Sequence, residues 1–246
     1  MNERREKIYG LEAVRAVFEV RPEDVRRIAY HPETGPRLGR YLKDAAARRV
    51  AYTEKDDHEL RAIAGSEHHE GVVIEALERA VLDEHGVVDR FGDDRGPLRL
   101  IALDGVENPH NIGAVIRSAA FLGAHGVIVH ARLEQPFSPG AIRVAEGGAE
   151  HVALARVADL AGVLAALAER DVAIVGTDAR AEDDVHRYRY PRRTVLVLGS
   201  EASGLSAAVR RTLTHTVGIR GTGAVESLNV SVAAGIVLGA SMLPRS

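Results

Sequence analysis

Three segments of this chain set polar side chains among residues that demand burial, and each could carry part of a reaction site. The first, Asn108-Pro109-His110-Asn111-Ile112-Gly113, follows an apolar run at 98–103 and opens a helix stopped at Gly123. Apolar residues occupy nearly every face of that helix. Arg117 is its lone cation, and a buried arginine needs a partner. Helical side chains lean toward the N-terminus, which would carry Arg117 over Gly113 and toward Asn108 and Asn111. A surface arginine whose head reaches water is the plainer alternative. The second segment, Gly199-Ser200-Glu201-Ala202-Ser203-Gly204, ends a strand-like run in a glycine-flanked turn holding one carboxylate, Glu201. The third, 219–234, sets a glycine-rich loop and the pair Ser227 and Asn229 before a helix, and 227–243 holds no ionisable side chain. A charge-free helix of this length is expected inside a soluble core, its first turn offering backbone N–H groups to a sheltered place. A core helix entered through an ordinary loop is the alternative.

Several chemistries are disfavoured at once. Gly199 to Gly204 nearly matches the phosphate-cradling pattern G-x-x-x-x-G-K-[ST], but Leu205 stands where the lysine must be, so a triphosphate lacks its anchor. The dinucleotide fingerprint also fails, because Gly221-Thr222-Gly223 is followed three residues later by Glu226. The absence of cysteine removes disulfides, thiolate catalysis and thiolate metal sites. The 11 histidines contain no H-E-x-x-H pair. His68 and His69 are adjacent, diverge on any regular backbone and read as solvated, so no metal is expected. The charged start leads to no apolar signal core, and 227–243 falls short of the ~18 apolar residues of a membrane span. A cytoplasmic protein is the expectation, with no membrane partner. The net charge of -3 argues against a general polyanion binder. All of it resides in 81–97, where Asp83, Glu84, Asp89, Asp93 and Asp94 face Arg90 and Arg95, so local basic patches remain open.

The elements that must position these residues alternate along the chain. Residues 1–80 read as a small α/β unit, with a helix around Leu11, Val14 and Val17, strands at 25–30, 50–52 and 72–77, a helix at 36–48 and another capped by Asp56. The acidic stretch 81–97 reads as a linker. Beyond it, strands at 98–103, 126–130, 151–155, 172–177, 194–198 and 216–219 alternate with helices at 111–122, 139–145, 158–169, 203–211 and 228–241. Such alternation implies a mainly parallel sheet covered on both faces, with ligands beyond the carboxyl ends of its strands. The three polar loops should converge on that edge. Arg187-Tyr188-Arg189-Tyr190-Pro191-Arg192-Arg193 interleaves cations and rings as a single-strand stacking surface would, though a solvated loop fits equally. Arg26-Arg27 and Arg48-Arg49 could meet phosphate or merely keep the surface soluble.

In this order, Asn111-x5-Arg117, Gly199-x-Glu201-x2-Gly204 and Glu226-Ser227-Leu228-Asn229-Val230-Ser231 resemble the three signature motifs of the SpoU/TrmH RNA 2′-O-methyltransferases, members of the knotted SPOUT class. Ile8-Tyr9-Gly10 and Val175-Gly176-Thr177 extend the similarity over essentially the whole chain, whose nearest branch is the two-domain 23S rRNA guanosine-2′-O-methyltransferases. The resemblance implies an α/β fold: a parallel C-terminal sheet with a deep trefoil knot at 98–246, after a ribosomal-protein-like RNA-binding domain at 1–80. It implies that S-adenosylmethionine lies bent in the knot, held by backbone near Gly199, Ile219 and Leu228, with Thr177 nearby. It assigns Arg117 to catalysis, Glu201 to orienting Arg117, and Asn111, Ser227 and Asn229 to fixing the ribose and the loops. A homodimer with catalytic sites near the subunit interface is also implied, and Ala233, Ala234, Gly235, Gly239 and Ala240 would suit close packing there. One departure stands out: Ile219-Arg220-Gly221 replaces the family's Ile-Pro-Met, losing a rigid φ and placing a charge beside the cofactor pocket. Other outcomes are a tRNA or antibiotic-resistance rRNA substrate, or a non-catalytic RNA-binding protein.

Overall fold

Short β-rich runs punctuated by capped helices build two sheets, and a computed structural model describes residues 3–130 and 135–242. The first sheet is drawn from β1 (Arg5–Tyr9), α1 (Leu11–Val20), β2 (Val25–Tyr30), α2 (Gly35–Ala47), β3 (Ala51–Glu54), α3 (Asp57–Ala64) and β4 (Val72–Leu77). Its strand order is β1-β4-β2-β3, parallel only between β2 and β3. Helix α3 starts in a capping box: the Asp56 carboxylate accepts the Glu59 N–H at 2.8 Å, and Glu59 accepts the Asp56 N–H at 3.1 Å. Strand β1 was not expected. Three of its five residues are charged and only Ile8 and Tyr9 are buried, so it carries too little apolar alternation to announce itself.

The second part comprises β5 (Val81–Leu82), α4 (Glu84–Phe91), β6 (Leu98–Asp104), α5 (Pro109–Phe121), β7 (Gly126–His130), α6 (Pro139–Val144), β8 (Ala153–Val157), α7 (Leu160–Ala168), β9 (Ala173–Thr177), β10 (Asp183–Asp184), β11 (Arg193–Gly199), α8 (Ala207–Arg210), β12 (His215–Gly218) and α9 (Val230–Met242). Its eight strands are all parallel, in the order β10-β12-β9-β11-β6-β7-β8-β5. Helices α5, α6 and α9 pack on one face, and α4, α7 and α8 on the other. The core under α5 and α9 continues through α6 into α1 and the small sheet, so the two parts share one apolar interior. Among the described residues, no helix is long and apolar enough to cross a membrane.

The acidic stretch 81–97 is not a linker. It supplies β5 to the sheet edge and α4 to a sheet face, with Val87 and Phe91 buried. Its charges lie on the outer side of α4, which is why composition concealed a packed element. The Glu84 carboxylate accepts the N–H groups of Ala158 at 2.5 Å and Asp159 at 3.4 Å, and fastens α4 to the loop before α7. Backbone donors, its own and that of Ala158 first, hold this carboxyl below the usual glutamate range. A depressed carboxylate stabilises the fold above its unfolded-state pKa and loses that contribution as pH falls through the folded value. Glu84→Ala should therefore cost at most about 1 kcal/mol in urea unfolding at pH 7, since the group is partly screened by water. The difference from the parent should be full above the unfolded-state value of about 4.3 and shrink progressively as pH falls below it; a gap independent of pH would refute the electrostatic origin.

Candidate active site

Strands β12, β9, β11 and β6 are neighbours, so their carboxyl ends lie along one edge of the sheet. Thr177 ends β9, Gly199 ends β11 beside Asp104 at the end of β6, and Ile219 follows β12. The Thr177 hydroxyl donates to the Val197 carbonyl at 3.3 Å, binding two of these ends together. Beyond Gly199 the chain winds tightly: the Gly204 N–H donates to the Ser200 carbonyl at 2.8 Å, and the hydroxyls of Ser200 and Ser203 lie 2.7 Å apart. A Cβ on Gly199 would run into the Gly204–Leu205 peptide, so the second segment requires glycine there. The loop holds Glu201 at its tip. Its exit is fastened by Asp104, only 3% exposed, whose Oδ2 accepts the Ser206 N–H at 2.6 Å. Sequence reading missed Asp104, although a carboxylate closing an apolar strand was the available signal.

The three polar segments meet through Asn229. Its Nδ2 donates to Asn111 Oδ1 at 3.1 Å and to Glu201 Oε1 at 3.0 Å. Its Oδ1 accepts from the N–H of Ser231 at 2.9 Å and from the Ser231 hydroxyl at 2.5 Å, which caps α9. Glu201 also accepts the Val230 N–H at 3.2 Å, placing a carboxylate where the helix dipole is positive. At the other end of α9, the Arg99 guanidinium donates to the Ser241 carbonyl at 3.2–3.3 Å, and burial pushes its pKa down.

Arg117 departs from expectation. It does not contact Glu201; its side chain is 62% exposed and lies 3.8 Å from Glu146. The reason is the crossing of α6 over α5. A Cβ on Gly113 would strike the Ala141 carbonyl oxygen and lie 2.8 Å from Val144 Cβ. The space over Gly113 is thus filled by α6, and the arginine turns outward. Helix α9 is likewise not wholly enclosed: Val232 is exposed, and Ala233, Gly235, Ile236 and Gly239 are half-buried. It begins at Val230, so Ser227 and Leu228 belong to the exposed loop before it, and the Ser227 side chain makes no hydrogen bond among the described residues.

Other expectations resolve similarly. The Arg220 guanidinium donates to the carbonyls of Ala181, at 2.9 Å, and Glu182, tying the loop after β12 to the turn after β9 in place of a proline's stiffness. In that turn an Arg210 hydrogen bond of 2.7 Å holds the Asp178 carboxyl below its ordinary pKa. The rings of Tyr188 and His215 stack at 4.3 Å, and Tyr190 meets Tyr188 edge-on, so one face of Tyr188 is occupied within the protein. Arg193 is buried on the carbonyls of Phe91, Gly92 and Arg170. His69 is buried rather than solvated, its Nδ1 accepting the Gly71 N–H at 3.1 Å. Among the described residues no cluster of His, Asp and Glu could hold a metal ion.

Comparison with known proteins agrees with this arrangement. Residues 99–239 match the SpoU rRNA Methylase family, and residues 7–79 match the family described as RNA 2′-O ribose methyltransferase substrate binding. The chain is 40% identical over 213 residues to the 23S rRNA (guanosine-2′-O-)-methyltransferase RlmB of Ralstonia nicotianae, covering 85% of this chain and 84% of that protein. It is 33% identical to the protein of the same name from Pseudomonas syringae pv. tomato, over 98% of this chain and 96% of that one. Among solved structures, the SpoU methyltransferase AviRb of Streptomyces viridochromogenes in complex with AdoMet superposes with a TM-score of 0.79 at 26% identity, covering 97% of this chain and 89% of that chain. With its sheet edge, its three joined loops and these matches over both of its parts, the chain belongs to the SpoU rRNA methylase family.

Proposed function

We propose that this protein transfers a methyl group from S-adenosylmethionine to the ribose 2′-hydroxyl of a guanosine in 23S rRNA. The observation that carries the reading is the junction of Asn111, Glu201 and Asn229, three side chains from distant segments, at the ligand-binding edge of a parallel sheet. The residues present suit the cofactor. Gly199 ends β11 at this edge, its missing side chain taken up by the returning Gly204–Leu205 peptide, Leu228 offers exposed apolar surface, and Thr177 and Ile219 stand at the neighbouring strand ends. When bound, S-adenosylmethionine supplies a methyl group made electrophilic by its sulfonium.

The ribose 2′-oxygen forms the new bond to carbon as the sulfur–carbon bond breaks, and the hydroxyl proton leaves to water or an RNA phosphate. Negative charge builds on that oxygen, and Arg117 stabilises it. A guanidinium with a pKa above ~12 is a poor base but a permanent cation. Held by one long ion pair at 3.8 Å and largely in solvent, it can reach a substrate lying across α5. Glu201 fixes Asn229 and the start of α9 rather than Arg117. Asn111 holds Asn229 from the other side, and Ser227 stands in the exposed loop where the ribose would enter.

The active form in this reading is a homodimer. Phe121 is 87% exposed at the end of α5, and Val232 is exposed on α9, the helix packed against it; a second copy of this face would cover both, with Arg117 one turn before Phe121 left near the interface. The deep trefoil knot belongs to the same reading, supported by β9 lying between β12 and β11 while α9 returns across α5 and β11. The test is methyl transfer from labelled S-adenosylmethionine to deproteinised 23S rRNA by the purified protein, with the product mapped by nucleotide. Label on one guanosine ribose of 23S rRNA taken from a strain lacking the gene is expected. Label confined to bases, or none, would defeat the reading.

A further inference from the structure

We infer that a cationic cavity on the small sheet is a docking site for an RNA backbone phosphodiester, with Arg27 as its main ligand. The inference deepens, and rests on, the RNA methyltransferase reading above. The cavity has a volume of 430 Å³ and is bordered by Lys7, Arg27, Lys55, Glu59, Ile63 and Glu75. It arises from register. Lys7 on β1 pairs with Glu75 on β4, and Glu75 pairs with Arg27 on β2, so the three side chains form one row on one face of the sheet. Helix α3 covers the adjoining half of that face, where Leu60, Ile63 and Ala64 pack on Tyr9, Ala29 and Val73. It does not extend over the charged row, which therefore lines an open hollow beside the helix.

The charges in the hollow are unequally engaged. Lys55 is paired with Glu59 at 2.6 Å and the two cancel. Glu75 has Arg5 at 3.8 Å, and Lys7 donates to the Ile63 carbonyl at 3.0 Å and makes no ion pair of its own, with Glu75 as its cross-strand neighbour. Arg27 is exposed and makes no hydrogen bond or ion pair among the described residues. The residues bordering the hollow hold three cations against two carboxylates, an excess of one positive charge in a chain whose net charge is -3. The contrast with other arginines of this part is informative. Arg26 is held by Glu3 and the Glu23 carbonyl, and Arg48 by Asp44, while Arg4, Arg37 and Arg49, likewise without a side-chain partner among the described residues, do not border the hollow.

The unpartnered Arg27 fork can meet two oxygens of one phosphate, while Lys7, across Glu75 at the other end of the row, adds positive charge without sharing that contact. The hollow is open along the sheet and presents no aromatic face for a base, so it recognises backbone and positions the RNA without reading its sequence. The residues matched by the substrate-binding family, 7–79, contain Lys7, Arg27, Lys55 and Glu75. The shared core beneath α1 and α6 then holds this phosphate contact at a set distance from the sheet edge that carries Asn229.

The test is equilibrium binding of deproteinised 23S rRNA to the full-length protein at a series of salt concentrations, with S-adenosylmethionine affinity measured in parallel. Arg27→Ala should weaken RNA binding about fivefold and flatten the slope of log K against log salt by roughly 0.7–0.9, the share of one phosphate. Arg27→Lys should restore most of the slope, and S-adenosylmethionine affinity should be the parent's in both. Parent-like slopes and affinities in Arg27→Ala and Arg27→Glu, with RNA methylation by the parent intact, would overturn the site alone. Absence of methyl transfer by the parent itself would overturn the reading on which the site rests.

Discussion

Arg117→Ala is expected to slow methyl transfer by ~10²–10³-fold while S-adenosylmethionine binds as tightly as to the parent, the scale of losing one preorganised charge at a developing oxyanion. The two halves of this expectation come from the same geometry. Arg117 projects from α5 into solvent and touches none of Thr177, Gly199, Ile219 or Leu228, so its removal leaves the proposed cofactor edge intact. Its charge is only weakly engaged by Glu146, so little folded-state stability depends on it. A transition state with charge on the 2′-oxygen would lose its counter-charge, whereas the ground state would lose little. The effect should therefore fall on kcat rather than on KM for S-adenosylmethionine. Arg117→Lys should recover part of the rate, because charge returns without the planar fork. Single-turnover methylation at saturating RNA measures the first quantity and calorimetric titration the second. Turnover within threefold of the parent in Arg117→Ala would remove Arg117 from the reaction.

The second large effect concerns the seam between the two parts. Glu150→Ala should destabilise the protein by about 1.5–3 kcal/mol, the cost of taking a charged acceptor from two guanidiniums that keep other, less buried partners. Glu150 is 5% exposed and binds two arginines: its Oε2 accepts from Arg21 Nε at 2.8 Å, and its Oε1 lies 3.1 Å from Arg79 Nη1. Glu6 on β1 completes the cluster, 2.8 Å from Arg21 and 3.0 Å from Arg79. Asp24, 3.3 Å from Arg21 and more open to water, adds a third carboxylate, so three acids surround two guanidiniums. Burial works against the charged form of Arg21, yet hydrogen bonds and attraction from Glu150, then Glu6, outweigh it and raise its pKa. Without Glu150, Arg21 keeps Glu6 and Asp24, and Arg79 keeps only Glu6 among the acids, so both guanidiniums lose the most deeply buried of their carboxylates. Glu150→Gln keeps an acceptor and the shape, so it should cost distinctly less. Because Arg21 and Arg79 belong to the first part and Glu150 to the second, urea unfolding of Glu150→Ala should also separate into two transitions where the parent shows one. A shift below about 1 kcal/mol would mean that water already reaches the cluster.

Much of this architecture was legible beforehand because burial writes local patterns. Strands at 25–30, 72–77 and 126–130 coincide with β2, β4 and β7, since each is an apolar run bounded by turn residues. The cap at Asp56 and the proline start at Ser138-Pro139 are local chemistry, and α3 and α6 begin there. What escaped were elements with weak local signal: charged β1, two-residue β5 and β10, and α4 beneath its acids. Their stability comes from neighbours distant in sequence, which no window of residues contains.

The candidate site divides along the same line. That Asn111, Glu201 and Asn229 belong to one sheet edge followed from the alternation of elements, because parallel connections return every strand's carboxyl end to the same side. Which side chains would touch there was a matter of tertiary packing. Asn229, not Arg117, bonds to Glu201, because α6 crosses α5 at Gly113 and occupies the path the arginine needed. Sequence periodicity specifies which way a helix faces its own sheet. The height at which a second helix crosses it, and hence whether a long cation is enclosed or expelled, depends on close packing between residues that only the folded chain brings together.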